Sequence, residues 1–246
     1  MSQTALLEVG NTTYKIARRI SETSWSVERF SNPVSCIEAL DRSVNRPTLL
    51  IPTSPGRTDA LIETAGLDGI GIPILDRTRF ASFIDGVYDT PETLGFDRIL
   101  QLFGLDDDAV VISYGTAITV DALIAGRPCF GGILAGRRPV ESALAAAAPS
   151  LPRPDIMTRP VLPSRSSDAS VSLGLAASLV DAPLGLARRL AGLVGREAMS
   201  PLMLRLTGGD ALTMADHIRA IAPEHGFADV SVDPDLLFDG AALLAV

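Results

Sequence analysis

The first apolar cluster, Ala5 to Val9, stops at the polar run Gly10-Asn11-Thr12-Thr13 and resumes from Tyr14 to Ile20. That pattern predicts a strand, a tight turn and a second strand. Short apolar runs and longer helix-like stretches then alternate. Cys36 to Ser43 predicts a helix, Thr48 to Ile51 a buried strand closed by Pro52, and Asp59 to Ala65 a helix ended by Gly66. Gly71 to Leu75 reads as an edge strand, because Pro73 within it has no N–H for a ladder. Alternation of this kind predicts an α/β protein.

The pattern restarts after the acidic run Asp106 to Asp108. Ala109 to Ile112 reads as a buried strand, Ser113 to Ala117 as a polar turn, and Ile118 to Ile124 as a second apolar strand. The plan repeats that of the first strands: apolar strand, turn carrying Gly and Thr, apolar strand. We read this as an internal duplication at low sequence identity, with halves 1–108 and 109–246. A hairpin through Gly126 returns into Gly131-Gly132, and Val140 to Ala148 predicts an Ala-rich helix. Pro149 to Pro163 predicts an extended connector. Ser167 to Ala177 and Leu184 to Val194 predict helices separated by a kink or break at Pro183. Met203 to Leu206 reads as a strand, Ala211 to Ile221 as the following helix, and Pro234 to Leu244 as the last helix.

The 246 residues are 47% apolar and 20% charged, enough to bury a substantial core in one large or two small domains. Acidic residues outnumber basic ones, 29 to 21, for a formal charge of −8. A surplus of this sign opposes attraction to phosphate backbones and anionic lipid, so no nucleic acid or membrane partner is expected. Cys36 and Cys129 stand far apart, and His217 and His225 are the only histidines, which argues against a zinc site or a disulfide framework. The N-terminal residues lack the basic start and apolar run of a signal peptide. No apolar stretch approaches the roughly 20 residues of a membrane span without interruption. A soluble, cytoplasmic protein is expected.

Candidate chemistry lies in the turns. Gly10-Asn11-Thr12 and Gly115-Thr116 each combine backbone N–H groups with a hydroxyl and a glycine that leaves room for a polyanion. The first also reads as an ordinary hairpin turn. Lys15 suits a nucleotide phosphate or a solvated strand position. In Tyr88 to Arg98, Asp97 stands near a helix start, where a carboxylate serves as a cap or as a general base toward a hydroxyl. Arg98 suits a carboxylate substrate or pairing with Glu92. Thr207-Gly208-Gly209-Asp210 reads as a tight strand-to-helix link or as amides facing an adenosine or phosphate. No P-loop, dinucleotide fingerprint or nucleophile elbow occurs.

The runs LEVGNTTYK, YDTPETLGFDR, SYGTAITVDA, GGILAG and LTGGDA, in this order, resemble those of type III pantothenate kinases across nearly the whole chain. The resemblance implies two ribonuclease-H-like domains around a nucleotide cleft, as in the superfamily of sugar kinases and actin-like ATPases. It implies phosphorylation of pantothenate by ATP with Mg²⁺ and a monovalent cation, K⁺ or NH₄⁺, in a homodimer. By the same resemblance Gly10, Asn11, Thr12, Lys15, Gly115 and Thr116 hold ATP, and Asp97 is the base. Tyr88, Gly95, Phe96, Asp97, Arg98 and Ser167 meet pantothenate.

The chain departs from that pattern at three places. Glu8 stands where the family has an Asp at the Mg²⁺ position, Ser113 where it has an Asp beside the monovalent cation, and Ala135-Gly136 where a Pro-Gly pair is usual. An added methylene moves the Glu8 carboxylate by more than the roughly 0.5 Å tolerance of a pre-organised site, and Ser113 carries no charge. A relative that keeps the fold and binds a nucleotide or a partner without catalysis is therefore the competing expectation. A kinase for another small hydroxylated acid is the third.

Overall fold

Ala5–Val9 forms β1, and the polar run after it turns the chain antiparallel into β2, Tyr14–Ser21. β3, Ser24–Phe30, continues antiparallel on β2, and β4, Leu49–Ile51, pairs parallel to β1, giving the order β3-β2-β1-β4. A parallel bridge from Ile74 to Leu50 sets one more extended residue beyond β4. The computed structural model describes residues 4–22, 24–66, 70–156, 162–193 and 202–245. Later in the chain come β5 (Ala109–Tyr114), β6 (Ala117–Ile124), β7 (Arg127–Ala135), β8 (Met203–Thr207) and β9 (Val230–Val232). Their order is β7-β6-β5-β8-β9, again two antiparallel pairings followed by parallel ones. The duplication is therefore one of topology, and the protein has the α/β class expected.

Two strands escaped the sequence reading. In β3 only Trp25 is buried while Glu28 and Arg29 face outward, and β9 is three half-buried residues long. Both are edge strands, where one-sided pairing weakens the hydrophobic signal.

Helices α1 (Pro33–Arg42), α2 (Pro55–Ala65), α3 (Ala81–Ile84) and α4 (Phe96–Phe103) belong to the first unit, with α9 (Leu236–Ala242). The second unit holds α5 (Arg137–Ala147), α6 (Ser167–Ala176), α7 (Ala182–Ala191) and α8 (Ala211–Ile221). Asn32 caps α1 by accepting from the Ser35 amide at 2.9 Å. α2 begins before the predicted Asp59 because Pro55 fits the first helical turn, where no N–H is required.

The compact units are Met1–Gly104 with Asp235–Val246, and Leu105–Pro234. This corrects the halves 1–108 and 109–246 at one end: the last helix returns to the first unit. The Trp25 indole donates to Asp239 at 2.9 Å, and its ring meets Phe238 at 5.7 Å between centroids. Asp108, from the acidic run, accepts from the Ala125 and Gly126 amides at 2.5 and 3.0 Å, so it caps the β6–β7 turn.

Of the kink or break expected at Pro183, no break occurs; α6 and α7 form one helical run, with a π-turn at Ala177–Asp181 just before the proline that accommodates its missing N–H. The 25-residue run Ser167–Ala191 is thus long and apolar enough to cross a membrane by length and composition, against expectation. Its Leu175, Leu179, Val180, Leu184 and Ala187 belong to the core of the second unit, packed with Val110, Ile112, Val120 and Leu206 of the sheet. The predicted helix end at Val194 and residues 157–161 of the predicted connector lie outside the described residues.

In the first unit, Leu7, Val9, Tyr14, Ile16 and Leu50 meet α1 and α2 through Cys36, Leu40 and Leu61. On the opposite sheet face, the register sets Leu6, Glu8, Lys15, Ala17 and Arg19 with Trp25. That face carries α9 and, through it, α4. The two helices cross at glycines: a Cβ on Gly104 would lie 2.7 Å from the Gly240 amide nitrogen, and one on Gly240 would strike the Leu100 carbonyl oxygen. Gly240→Ala should therefore lower unfolding free energy by about 1–3 kcal/mol, the range for overpacking. A urea titration of both proteins reads the difference, and equal midpoints would refute the close crossing.

Candidate active site

β1 is buried along its whole length, and Glu8 sits in it at 3% exposure. A carboxylate in such a place needs charged and hydrogen-bonding partners, or it loses its hydration for nothing. The antiparallel register puts Lys15 directly opposite, and its ammonium lies 2.8 Å from Glu8 Oε2. The Thr53 hydroxyl, just past β4, lies 2.8 Å from Glu8 Oε1 and 2.7 Å from the Val9 carbonyl oxygen. The same loop is tied to the strand end by the Ser54 amide, which donates to the Val9 oxygen at 2.9 Å. Beyond Val9, the turn closes through the Gly10 amide and the Thr13 carbonyl at 3.0 Å, with Asn11 and Thr12 exposed. The structure therefore brings Glu8, Lys15 and the first turn together.

The second group surrounds the start of α4. Gly95 is its N-cap and Asp97 lies in the first turn. No side-chain cap bond is formed by Gly95, and a Cβ there would collide with Asp97 Oδ1, so the carboxylate folds back over the glycine backbone. Arg98 is buried at 4% exposure and Asp97 is half-buried. Tyr88 is half-buried in the preceding loop. One residue that sequence reasoning missed, Arg77, donates through Nη1 to the Pro91 carbonyl at 2.9 Å and to the Leu94 carbonyl. Its guanidinium also lies over the Phe96 ring, 4.6 Å from the centroid. Burial lowers the Arg77 pKa from its usual value, and Glu92 opposes that shift. Neither Arg77 nor Thr53 stands in a recognisable motif; only the folded register reveals their partners.

In the second unit, Gly115 and Thr116 link β5 to β6, closed by the Gly115 amide on Ala117 O at 3.1 Å. The Gly136 amide donates to Thr116 O at 3.0 Å, so the Ala135-Gly136 run braces this turn. Ser113, Thr119 and Thr207 are in register across three strands and share one sheet face. Thr207 Oγ1 is buried without a hydrogen-bond partner. The Asp210 amide ties the Thr207-to-Asp210 link back to Tyr114 O at 3.0 Å. Ser167 is exposed at the first position of α6, where Ser166 is the cap. A cavity of about 330 Å³ opens between α5 and Leu151 to Asp155, yet none of the expected site residues lines it. Its Arg137 is already bonded to Glu141 at 2.6 Å and to Asp155 at 3.3 Å. Among the described residues, no cluster of three or more His, Cys, Asp or Glu is suited to a metal ion, and both cysteines are free.

A family model described as type III pantothenate kinase matches residues 5–189. A type III pantothenate kinase of Halorhodospira halophila is 35% identical over 134 residues, 52% of each chain, so the match spans about half the length of that relative. One from Laribacter hongkongensis is 28% identical over 98% of this chain and 97% of its own. A solved Sinorhizobium meliloti structure named for 2-dehydro-3-deoxygalactonokinase superposes with a TM-score of 0.57 at 13% identity, covering 98% of both chains. That likeness speaks to the fold alone.

The Glu8–Lys15 pair yields a measurable coupling. In a double-mutant cycle of Glu8→Gln and Lys15→Met, urea unfolding should show an interaction of about 1–2 kcal/mol, reduced from the fully buried case because the ammonium is partly solvated. Additive effects of the two substitutions would show that the pair contributes no coupling.

Proposed function

Because the chain belongs to the type III pantothenate kinase family, we propose that it transfers the γ-phosphoryl group of ATP to the primary hydroxyl of pantothenate. The products are phosphopantothenate and ADP, and the reaction opens coenzyme A synthesis. The observation that carries this reading is the intact Gly95-Phe96-Asp97-Arg98 run at the first turn of α4, with its carboxylate folded over Gly95.

In this reading Asp97 accepts the hydroxyl proton as the alcohol oxygen bonds to the γ-phosphorus and the bond to the bridging oxygen of ADP breaks. Arg98 pairs with the pantothenate carboxylate, a planar match for a guanidinium, and Tyr88, Gly95, Phe96 and Ser167 complete the acceptor contacts. Gly10, Asn11, Thr12 and Lys15 hold nucleotide phosphates from the first turn, Gly115 and Thr116 from the second. Positioning and charge compensation supply most of the acceleration.

Glu8 fits a divalent cation in kind, being a hard oxygen donor already set in place by Thr53. It would hold Mg²⁺, which when bound offsets charge on the phosphate oxygens. The residues do not fit a K⁺ or NH₄⁺ site of the family's kind, since Ser113, Thr119 and Thr207 present neutral hydroxyls in a row; no step depends on one. The reading places the protein in the cytoplasm with ATP, and as a homodimer. α5 suits the latter, since none of its residues is buried within one chain.

ADP release in the presence of ATP, Mg²⁺ and pantothenate tests the activity; no release above background, with or without K⁺, overturns it. Asp97→Asn should lower kcat by about 10²–10⁴-fold, the usual contribution of a general base, while calorimetry finds ATP binding retained. Retained turnover would remove Asp97 from the role of base. Glu8→Asp combined with Ser113→Asp should raise the rate, and an unchanged rate would show that neither departure limits the site.

A further inference from the structure

We propose that Arg77 is a positioning residue for the acceptor: its guanidinium fixes the Gly95–Arg98 segment, so affinity for pantothenate depends on it and affinity for ATP does not. The inference rests on the pantothenate-kinase reading and adds a residue outside the motifs that carry it.

Pro91–Thr93 forms a single 3₁₀ turn, and the Leu94 amide returns to Pro91 O at 3.3 Å. Leu94 immediately precedes Gly95, whose carbonyl oxygen accepts the first α4 bond, from the Ile99 amide at 3.3 Å. Arg77 joins the two ends of this turn by donating to both Pro91 O and Leu94 O. Its flat face then rests on Phe96, one residue before Asp97.

Arg77 is itself held. It opens a 3₁₀ turn, Arg77–Phe80, capped by Asp76, which accepts from the Thr78 amide at 2.8 Å. At the far end of that turn Phe80 meets Phe96 and Phe103 edge-on, with centroids 6.3 and 5.4 Å away. The segment entering α4 is thus held by the Arg77 cation and, through Phe96, by an aromatic cluster. A loop joined to α4 by chain connectivity alone would lack both constraints, and displacement of about 1 Å at a reacting group costs up to ~10²-fold in rate. Lysine cannot replace the arginine, because a point ammonium lacks the plane that stacks on the Phe96 ring while one of its nitrogens reaches both carbonyls.

The test compares wild type, Arg77→Lys and Arg77→Ala by steady-state kinetics with each substrate varied in turn. The KM for pantothenate should rise about tenfold or more in both variants, as expected for lost charge-assisted hydrogen bonds. The KM for ATP should stay within about twofold, since no nucleotide residue is touched. Guanidinium ion added to Arg77→Ala should bring the pantothenate KM back down, which a general loss of stability would not allow. A pantothenate KM unchanged in a folded, active Arg77→Lys overturns the proposal. So does a joint rise of both KM values with a collapsed melting temperature, which would leave Arg77 a purely structural part. A wild-type protein that does not turn over pantothenate is a different failure, since it removes the underlying reading and the proposal with it.

Discussion

A carboxylate at the centre of a buried strand cannot be left alone, and the pairing of Glu8 with Lys15 and Thr53 answers that constraint. Cross-strand neighbours on one face lie close enough for their side chains to meet, so the β1–β2 register creates the pair as soon as the hairpin forms. The consequence reaches the turn. With Lys15 drawn toward β1 and the Gly10 amide closed on Thr13, the exposed part of the link narrows to Asn11 and Thr12. The polar end of the first sheet is therefore organised around a charge that sits beneath it.

α4 is positioned by a different means, from both ends. At its C-terminal end Gly104 and Gly240 let two backbones approach closer than any side chain would allow. At its N-terminal end Arg77 and the phenylalanine cluster hold the entering loop. The helix bears Asp97 and Arg98 on its first turn, and those residues can be placed to a fraction of an ångström only if the helix itself cannot slide. A helix pinned only by its apolar face would satisfy the hydrophobic requirement and still tolerate small shifts along its axis. The glycine crossing and the Arg77 contacts remove that freedom, which is why a segment far from any recognised motif matters to the motif.

Much of this was legible in the residues. The two Gly/Thr turns announced a repeated plan because each follows a buried strand and precedes another, and the alternation that predicts a strand also fixes its faces. The Gly95 to Arg98 run was legible because its residue types are unusual together. What was not legible depended on pairing across long sequence distances. β3 gave no strand signal because half of it faces solvent at an edge. The last helix looked like the end of the second half because nothing in its own residues names Trp25 and Gly104 as neighbours. Pro183 looked like a kink or break because propensity assigns proline to helix ends, and the π-turn that accommodates it is a property of the packed helix. Thr53 and Arg77 were invisible for the same reason: each is an ordinary polar residue until the fold supplies its acceptors.

On the proposed reading Glu8 stands in place of an aspartate, and its length has a physical consequence. A longer side chain on a rigid strand reaches further over the turn, and without restraint it would sample several rotamers there. Thr53 on one oxygen and Lys15 on the other remove that sampling. They do so by engaging the same cation that a phosphate would need, so the side chains of Glu8 and Lys15 form a neutral unit and the turn offers an anion little net charge. Binding a polyanion there requires Lys15 to turn away from Glu8 while the carboxylate takes another positive partner, an exchange in which neither buried charge is left bare. On the proposed reading, Glu8 in place of an aspartate therefore leaves the turn's donors in place and ties their one cation to a buried partner, as the burial of Glu8 and the geometry of one hairpin require.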